Sequence, residues 1–199
     1  MEISVAMCTY NGAAFLKLQL ESIFTQTKAV DEIVVVDDMS TDETIDILNG
    51  YKKTYPSVLK VITNDKQLGV VGNFEKAISL CSGNWIFLCD QDDIWKKNKV
   101  EEMIAFADKN KNALMIYTDA ALIDENGNYK NITLWERIRF NEKRQRKYQN
   151  QKYAFRKLIA GDNYITGATV LINVTLKEIA VPFLTLPSGY LHDLYLGIM

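Results

Sequence analysis

Three carboxylates follow a short apolar run within residues 85–95, WIFLCDQDDIW. Asp90 and Asp92 are two residues apart, so in an extended chain their side chains leave the same face. Like charges this close repel, and one carboxylate takes up a proton unless a cation lies between them. Mg²⁺ and Mn²⁺ prefer oxygen ligands and often keep substrate phosphates in their shell. The spacing fits a clamp for a metal and a diphosphate, and it also fits a solvated acidic turn in which Asp93 caps the next helix.

A second group of carboxylates follows the apolar run in VVVDDMSTDET. Asp37 and Asp38 come directly after this run, and a carboxylate there can accept the N3–H of a uracil or thymine ring. Acidic residues are also favourable near a helix N-terminus, and Asp42 and Glu43 fit that structural role. Ser40 with Glu43 matches a capping box, which predicts the start of a helix. For Asp37 and Asp38 both roles stay open.

The elements that must position these carboxylates alternate along the first 110 residues. Apolar runs without alternation predict strands buried on both faces, and the amphipathic segments between them predict helices. The order predicts an α/β fold with a Rossmann-like, mostly parallel central sheet flanked by helices. In such sheets ligands bind at the carboxyl ends of the strands, where both acidic groups lie. The predicted strands are 3–8, 32–38, 58–64 and 85–90, and the predicted helices are 14–24, 41–53, 72–83 and 98–110.

The pattern becomes less regular after residue 113, which we take as a soft boundary within a single domain, 1–199. The part before it, 1–113, has the pattern of a nucleotide-binding half, and 114–199 forms a smaller half. The chain ends within a predicted helix, so we expect a domain truncated at its C-terminus. The elements predicted for the second half are a strand and hairpin over 114–130 with a turn at Asn126-Gly127, a helical stretch 134–157, a strand over 163–173 and a helix over 189–199.

Charge and composition exclude several classes of protein. The net charge of −2 does not suggest a nucleic-acid partner, although 134–157 alone holds nine Lys/Arg against two Glu. Such a stretch is either a solvated helix face or a contact for an anionic membrane surface or a pyrophosphate group. Without a signal peptide, a membrane-length apolar run or paired cysteine spacing, we expect a cytoplasmic protein with free thiols. The first strand is not followed by G-x-G-x-x-G, which argues against a Rossmann dehydrogenase.

Five segments, taken together in their order and spacing, carry a resemblance over nearly the whole chain. The sequence resembles the family 2 glycosyltransferases, which have the GT-A fold. The forms DQDDIW and YLHDLYL are most similar to the rhamnosyltransferase-like members of bacterial polysaccharide synthesis. The resemblance implies transfer of a sugar from a nucleoside-diphosphate sugar, dTDP-rhamnose or a UDP-hexose, to a saccharide or lipid-linked acceptor. The segments are VAMCTYNGAAFLKLQLESIFTQT, DEIVVVDDMSTDET, GVVGNFEKAI, GNWIFLCDQDDIW and YTDAALIDENG.

The resemblance also implies roles for particular residues. Asp38 is expected to contact the base, and Asp90 and Asp92 are expected to hold Mg²⁺ or Mn²⁺, with Asp92 as the more direct ligand. His192 is a further candidate for the metal or the diphosphate, with a structural imidazole as the alternative. Family members often carry an Arg where this chain has Gly72, which leaves the identity of the donor open. The residues expected to bind the donor are Thr9, Tyr10, Asn11, Asp37, Asp38, Asn73, Asp90 and Gly167.

Asp193, in LHDLY, corresponds to the catalytic base of the family. It would take the proton from the acceptor hydroxyl as that oxygen attacks the anomeric carbon. One base and one displacement imply inversion at the sugar, with the metal stabilising the departing nucleoside diphosphate. The position of 134–157 between the hairpin and the last strand implies a place on the acceptor side, with peripheral contact at the inner face of the cell membrane.

Two other functions stay open. IFLCDQDDI also fits the nucleophile loop of haloacid-dehalogenase-type phosphatases, but that loop normally follows the first strand, and VVVDDMSTD would have no role there. A sugar-nucleotide pyrophosphorylase needs a glycine-rich, Arg-containing loop that CTYNGAAF does not provide. The non-enzymatic alternative is a domain that binds a nucleotide sugar without turning it over. Replacing Asp193 by Asn would separate binding from turnover.

Overall fold

The structure is a computed structural model that describes residues 2–184 and 191–199. Within them the strands are β1 (Ile3–Thr9), β2 (Glu32–Asp37), β3 (Leu59–Thr63), β4 (Trp85–Cys89), β5 (Met115–Tyr117), β6 (Ala121–Ile123), β7 (Tyr129–Thr133) and β8 (Val170–Asn173). The helices are α1 (Ala13–Phe24), α2 (Thr44–Thr54), α3 (Gly69–Leu80), α4 (Lys99–Lys109), α5 (Leu134–Arg137), α6 (Glu142–Tyr148), α7 (Gln151–Ile159), α8 (Val174–Ala180) and α9 (His192–Ile198).

The described residues form a six-stranded sheet in the order β3-β2-β1-β4-β8-β5. β1 pairs in parallel with both β2 and β4, and β2 pairs in parallel with β3. β8 is antiparallel to both of its neighbours, β4 and β5. The fold is therefore mixed α/β with a mostly parallel central sheet flanked by helices, as predicted. Because β5 and β8 lie in this sheet, residues on both sides of the soft boundary at 113 share it.

Alternate residues of the strands point to opposite faces of the sheet, and each face has its own apolar core. Val5 and Met7 of β1 pack on the face covered by α1, α2 and α4, whereas Ala6 packs on the face covered by α3, α8 and α9. β2 and β4 are buried along their whole length, so neither face is open to solvent. Burial on both faces explains why the sequence of these strands is continuously apolar.

The four predicted strands of the first half are confirmed to within one residue, but the start of α2 differs. The predicted capping box at Ser40 and Glu43 is wrong. α2 begins at Thr44 without a side-chain cap, and the Ser40 hydroxyl donates instead to Asp37. A capping box does form at α5, where the Thr133 side chain accepts from the Glu136 N–H and the Glu136 carboxylate accepts from the Thr133 N–H.

The second half differs more from its sequence pattern. The hairpin of β6 and β7 is confirmed, with Gly127 in the left-handed region at φ 81°. The strand predicted over 163–173 is wrong in its first part, because Gly167–Thr169 forms a 3-10 turn and pairing begins only at Val170. The sequence did not predict α8. The helix predicted over 189–199 is present as α9, and residues 189 and 190 lie outside the described residues.

The basic stretch 134–157 is helical, as predicted, and is divided among α5, α6 and α7. Asn141 and Asn150 cap α6 and α7 by accepting hydrogen bonds from backbone N–H groups of their first turns. Among the helices of the described residues, none is long and apolar enough to cross a membrane.

Candidate functional site

A cavity of about 460 Å³ opens at the carboxyl ends of β1, β2 and β4, where parallel α/β sheets bind ligands. Its walls come from the loops after these three strands and from the first turns of α3. Six of the residues singled out from the sequence line it together: Thr9, Tyr10, Asp38, Asn73, Asp90 and Asp92.

Asp37 lies at the end of β2 and is fully buried. One of its oxygens, Oδ1, accepts from the Thr9 hydroxyl at 2.8 Å and from the Ser40 hydroxyl at 2.5 Å. The other, Oδ2, accepts from the Ser40 N–H at 2.9 Å. These bonds satisfy a buried carboxylate and fix the loop after β2 against the end of β1. Asp37 does not line the cavity, so its bonds position its neighbours.

Asp38 lines the cavity and ties the loop before α3 to the end of β2. Its Oδ1 accepts from the Asn64 side-chain amide at 2.8 Å and from the Leu68 N–H at 2.7 Å. Its Oδ2 accepts from the N–H of Gly69, which has φ 70°. A carboxylate offers about four acceptor positions, so Oδ2 can still accept from a ligand.

Asn73 and Asn11 connect loops at the same edge of the sheet. The Asn73 amide donates to the Val36 carbonyl at 2.8 Å and accepts from Asn64 at 2.8 Å. Asn11, in the left-handed region at φ 47°, donates its N–H to the Ser40 hydroxyl and accepts from the Thr41 N–H. Asn73 lines the cavity and Asn11 does not.

Gln91 is a site residue that the sequence reasoning missed. Its side-chain amide accepts from the Tyr10 N–H at 2.8 Å and donates to the Tyr10 carbonyl at 3.0 Å. This pair joins the loop after β1 to the loop after β4, across 81 residues of sequence. A Cβ at Gly12 would lie 2.1 Å from the Gln91 Oε1, so only glycine leaves room for the pair. The Tyr10 ring remains 49% exposed at the mouth of the cavity.

Gln91 and Asp92 form a turn directly after Asp90, so the extended geometry assumed for Asp90 and Asp92 is wrong. Among the described residues, no hydrogen bond reaches the carboxylates of Asp90, Asp92 or Asp93, unlike those of Asp37 and Asp38. Burial, together with the charges of neighbouring carboxylates, raises the pKa of Asp90 to about 7. Burial and the charge of Asp92 likewise raise the pKa of Asp93. The segment therefore holds acidic groups close together in a partly buried position, where ionising all of them is unfavourable.

Lys99 is the basic residue that approaches these acids, and the sequence reasoning missed it as well. Its ammonium donates to the Ala168 carbonyl at 2.8 Å and lies 4.3 Å from the centre of the Trp95 ring. Burial lowers the pKa of Lys99 to about 8, while the charges of Asp93 and Asp90 act in the opposite direction. Lys99 stands in the first turn of α4, where a positive charge is unfavourable with respect to the helix dipole.

Asp193 and His192 begin α9, and both are buried. Asp193 accepts from the Leu194 N–H at 2.6 Å and from the Asn163 amide at 3.5 Å. Burial raises the pKa of Asp193, and its charge contributes to the raised pKa of Asp90. Asp193 therefore lies within electrostatic reach of the acids after β4, although it does not line the first cavity.

The His192 imidazole stacks on Phe74, with ring centres 3.9 Å apart. Neither of its nitrogens has a hydrogen-bond partner among the described residues. A Cβ at Gly167 would lie 2.6 Å from the His192 Nε2, so Gly167 serves to admit the imidazole. Burial lowers the pKa of His192 to about 4, and the side chain is neutral near pH 7.

The donor chemistry of the site fits a divalent cation that shares its shell with a ligand. Within the described ranges, 2–184 and 191–199, no three His, Cys, Asp or Glu side chains come close enough to hold a metal by themselves. Asp90 and Asp92 nevertheless offer unpartnered carboxylate oxygens to the cavity. Mg²⁺ is usually held by one or two carboxylates plus substrate phosphates, which is the ligand set that this edge can provide.

A second cavity, of about 370 Å³, lies on the other side of the same turn and shares Asp92 with the first. The β6–β7 hairpin, the first helix and the 3-10 turn form its walls, with apolar residues such as Phe15, Leu18 and Leu122 beside Thr166. The carboxylates after β4 therefore separate two cavities that a pair of reactants could occupy.

The sequence is similar to known glycosyltransferases over part of their length. It is 36% identical over 102 residues to "dTDP-rhamnosyl transferase RfbG" of Shigella flexneri, which covers 49% of this chain and 35% of that protein. Among solved structures, residues 1–349 of S. aureus TarS in complex with UDP share 28% identity at a TM-score of 0.52, over 58% of this chain and 34% of that one. The mannosyltransferase PcManGT from Pyrobaculum calidifontis, in complex with GDP-Man and Mn²⁺, has the same fold, with 19% identity and a TM-score of 0.63 over 98% of this chain and 50% of its own.

The chain spans between about a third and a half of the length of these proteins. The profile described as "Glycosyl transferase family 2" matches residues 4–163, which include both acidic groups at the sheet edge. The match extends over most of the chain and agrees with the GT-A fold of the structural neighbours. The chain therefore belongs to glycosyl transferase family 2.

Proposed function

We propose that this chain transfers a sugar from a nucleoside-diphosphate sugar, dTDP-rhamnose or a UDP-hexose, to a saccharide or lipid-linked acceptor. The observation that carries the proposal is the first cavity, in which Asp38 faces the unpartnered carboxylates of Asp90 and Asp92. The base of the nucleotide would bind at Asp38, and its diphosphate would bind at Asp90 and Asp92. The relatives named above, a dTDP-rhamnosyl transferase and a protein solved with UDP, support a pyrimidine nucleotide.

The base and ribose would bind beside Asp38, Thr9 and Tyr10. The Asp38 Oδ2 accepts one hydrogen bond within the protein and can accept another from the N3–H of uracil or thymine. The exposed Tyr10 ring offers a stacking face for the base. The Gln91 amide pair holds the backbone of Tyr10 in place for that contact.

The diphosphate would bind toward the carboxylates after β4. Asp90 and Asp92 would hold Mg²⁺ or Mn²⁺ there, and the ion, when bound, neutralises charge on the leaving diphosphate. Both carboxylates lack other partners in the described residues, so they are available to the ion. His192 remains a predicted further ligand. Its imidazole stacks on Phe74, which lines the first cavity.

Asp193 would act as the general base. Its pKa is raised by burial, which increases the affinity of the carboxylate for a proton. The proton of the acceptor hydroxyl would pass to Asp193 as the oxygen forms its bond to the anomeric carbon and the bond to the diphosphate breaks. A single displacement of this kind inverts the anomeric configuration.

The acceptor would occupy the second cavity, on the opposite side of Asp92 from the nucleotide. Apolar side chains such as Phe15 and Leu18 suit the faces of sugar rings, and Thr166 and Asp124 can hydrogen bond to hydroxyl groups. The basic helices α5–α7 would contact the inner face of the cell membrane, where a lipid-linked acceptor is presented.

Thermal unfolding with UDP, dTDP, GDP and CMP, each with Mn²⁺ and with EDTA, tests the donor site. A ligand at 100 times its Kd stabilises the native state by about 2.7 kcal/mol, so UDP or dTDP with Mn²⁺ is expected to raise the Tm. Asp92→Asn should lose this response. Asp108→Asn, a matched change at an exposed carboxylate on α4, should keep it. The absence of a shift with every nucleotide would contradict the proposal.

Turnover is tested separately from binding. Incubation with dTDP-rhamnose or UDP-hexoses and an acceptor mixture should release dTDP or UDP. Nucleotide binding that persists without any release would favour a domain that binds a nucleotide sugar without transferring it.

A further inference from the structure

A third cavity, of about 360 Å³, lies within the basic helices and shares no lining residue with the other two. Four cations and three tyrosines make up most of its wall, and one carboxylate, Asp162, also lines it. The cations are Lys143, Arg144, Lys147 and Lys157, and the tyrosines are Tyr148, Tyr153 and Tyr164. The cavity is therefore both cationic and aromatic.

Three of the four cations, Lys143, Arg144 and Lys147, have no carboxylate partner among the described residues, whereas Lys157 is paired with Asp162 of the same wall. In the part of the chain that the structure describes, the ion pairs of this region join Arg146 to Glu142 and Lys157 to Asp162. Lys147 lies four residues after Lys143 and three after Arg144, so its side chain neighbours each of them on the surface of α6. Like charges at this spacing repel each other and destabilise the helix. An anionic ligand would turn this unfavourable arrangement into a favourable one.

The tyrosines hold two of these cations over fixed surfaces. The Arg144 guanidinium lies 5.6 Å from the centre of the Tyr164 ring, and the Lys147 ammonium lies 5.8 Å from that of Tyr153. Contacts of this kind restrict long side chains that would otherwise move freely. Arg144 also donates to the Arg139 carbonyl at 2.6 Å, which fixes its position further.

The aromatic rings of the wall pack against each other, so their positions are fixed. Tyr148 meets Tyr164 edge to face at 5.3 Å, and Tyr164 stacks on Phe140 at 4.7 Å. The Tyr148 hydroxyl donates to the Asp162 carbonyl at 2.6 Å, which ties the last residue of α6 to the segment after α7. The cavity thus differs from a solvated charge run, whose side chains have no fixed surroundings.

The cavity is connected to the candidate base through two adjacent residues. Tyr164 lines the cavity, and the side chain of Asn163 contacts the Asp193 carboxylate at 3.5 Å. Leu158 of α7 and Ile165 pack in the same apolar core as Leu194 and Leu196 of α9. A ligand in this cavity would consequently be anchored beside the helix that carries Asp193.

We propose that this cavity binds a phosphate or diphosphate group. A guanidinium and two ammonium groups form charge-assisted hydrogen bonds to phosphate oxygens, and their combined charge matches a dianion better than a single carboxylate. The group is carried either by an anionic membrane lipid or by a saccharide phosphate. The proposal does not depend on glycosyl transfer, because none of the residues involved takes part in the donor site.

The test compares two double variants that remove the same charges. Arg144→Gln/Lys147→Gln removes cations from the cavity, and Lys152→Gln/Arg156→Gln removes an exposed Lys and Arg of α7 that do not line it. Each pair is placed in an Asp92→Asn background with EDTA present, so that the first cavity does not contribute. Calorimetry with inorganic pyrophosphate and flotation with phosphatidylglycerol vesicles, against phosphatidylcholine vesicles, measure binding.

We expect the cavity pair to weaken binding at least tenfold and the α7 pair to weaken it less than twofold. Binding of pyrophosphate alone would identify a saccharide phosphate as the source, and binding of phosphatidylglycerol vesicles alone would identify a lipid headgroup. Equal losses in the two pairs would show a diffuse charge effect and overturn the proposal, as would the absence of binding to either probe. Thermal unfolding of both pairs checks that each remains folded.

Discussion

Two groups of aspartates stand at the same edge of the sheet and are held in opposite ways. Asp37 and Asp38, after β2, each accept three hydrogen bonds from neighbouring loops. Asp90, Asp92 and Asp93, after β4, accept none among the described residues, and burial raises the pKa of Asp90 and Asp93. The first group has its partners inside the protein, whereas the second group lacks them.

The difference distinguishes carboxylates that stabilise loops from carboxylates that are available to bind a cation. A buried carboxylate with its full set of hydrogen bonds stabilises the loops that it connects. Carboxylates that are close together and unpartnered are unfavourable in the free protein, and a cation would relieve them. Asp37 and Asp38 thus fix the loops that shape the cavity, and Asp38 keeps one acceptor position for a ligand, whereas the carboxylates without internal partners lie after β4.

The largest expected effect concerns Asp193, which lies within reach of the unpartnered group. A general base typically contributes a factor of about 10²–10⁴ in rate, so Asp193→Asn should lower sugar transfer by that order. Nucleotide affinity should change little, since Asp193 does not line the first cavity. Initial rates and calorimetric Kd values for the same preparation measure both. Full activity in Asp193→Asn would show that another group takes the proton.

His192 extends the comparison to a buried imidazole whose nitrogens have no hydrogen-bond partner among the described residues. Its pKa in the folded protein is about 4, below the ordinary value near 6.5, so the unfolded chain binds the proton more tightly. The free energy of unfolding should therefore fall as the pH drops from about 6.5 to about 4, by up to about 3 kcal/mol from this residue.

His192→Leu fills a similar volume and cannot titrate. Urea unfolding at several pH values should show that this variant lacks that part of the acid sensitivity. Identical pH profiles for the variant and the wild type would mean that His192 is not buried as a neutral side chain.

The two acidic groups should respond with opposite sign to the loss of a charge. Asp37→Asn removes a buried acceptor from a bonded set and should lower the free energy of unfolding by about 1–3 kcal/mol. Asp90→Asn should raise it, because the variant removes a charge that burial and neighbouring acids disfavour.

The gain from Asp90→Asn should depend on pH in a defined direction. The folded pKa of Asp90 lies above its unfolded value, so ionisation costs stability as the pH rises through about 7. The gain should therefore be larger at about pH 8 than at about pH 5, where the wild-type group is protonated. Denaturant unfolding without metal measures it. A loss of stability in Asp90→Asn at either pH would remove the distinction between the two groups.

The smallest effect is expected at Gln91, which links the loop that carries the second group to the loop after β1. Gln91→Ala removes both hydrogen bonds to the Tyr10 backbone, and each such bond contributes about 1 kcal/mol. We expect weaker nucleotide binding together with a fall in the free energy of unfolding of up to about 2 kcal/mol. Calorimetry with UDP or dTDP and Mn²⁺ measures it, and Gln67→Ala is a comparison at the other wall of the cavity.

The sequence pattern predicted the features that depend on residues close together in the chain. The strands β1–β4 follow from uninterrupted apolar runs, and their order along the chain predicts that Thr9, Asp38 and Asp90 meet at one edge. The Gln91–Tyr10 and Lys99–Ala168 contacts could not be predicted, because they join residues 81 and 69 positions apart. The capping box at Ser40 failed since its hydroxyl finds a better acceptor in Asp37, which only the folded loop brings near.

The central claim is that the carboxylates after β4 take up a divalent ion together with a nucleoside diphosphate. The electron paramagnetic resonance signal of free Mn²⁺ measures this directly in titrations of the protein with and without UDP or dTDP. Because the protein offers few ligands of its own, we predict weak binding of Mn²⁺ alone and at least tenfold tighter binding with the nucleotide, lost in Asp92→Asn. Binding of Mn²⁺ that is unaffected by either nucleotide, or by the loss of the Asp92 charge, would contradict the claim.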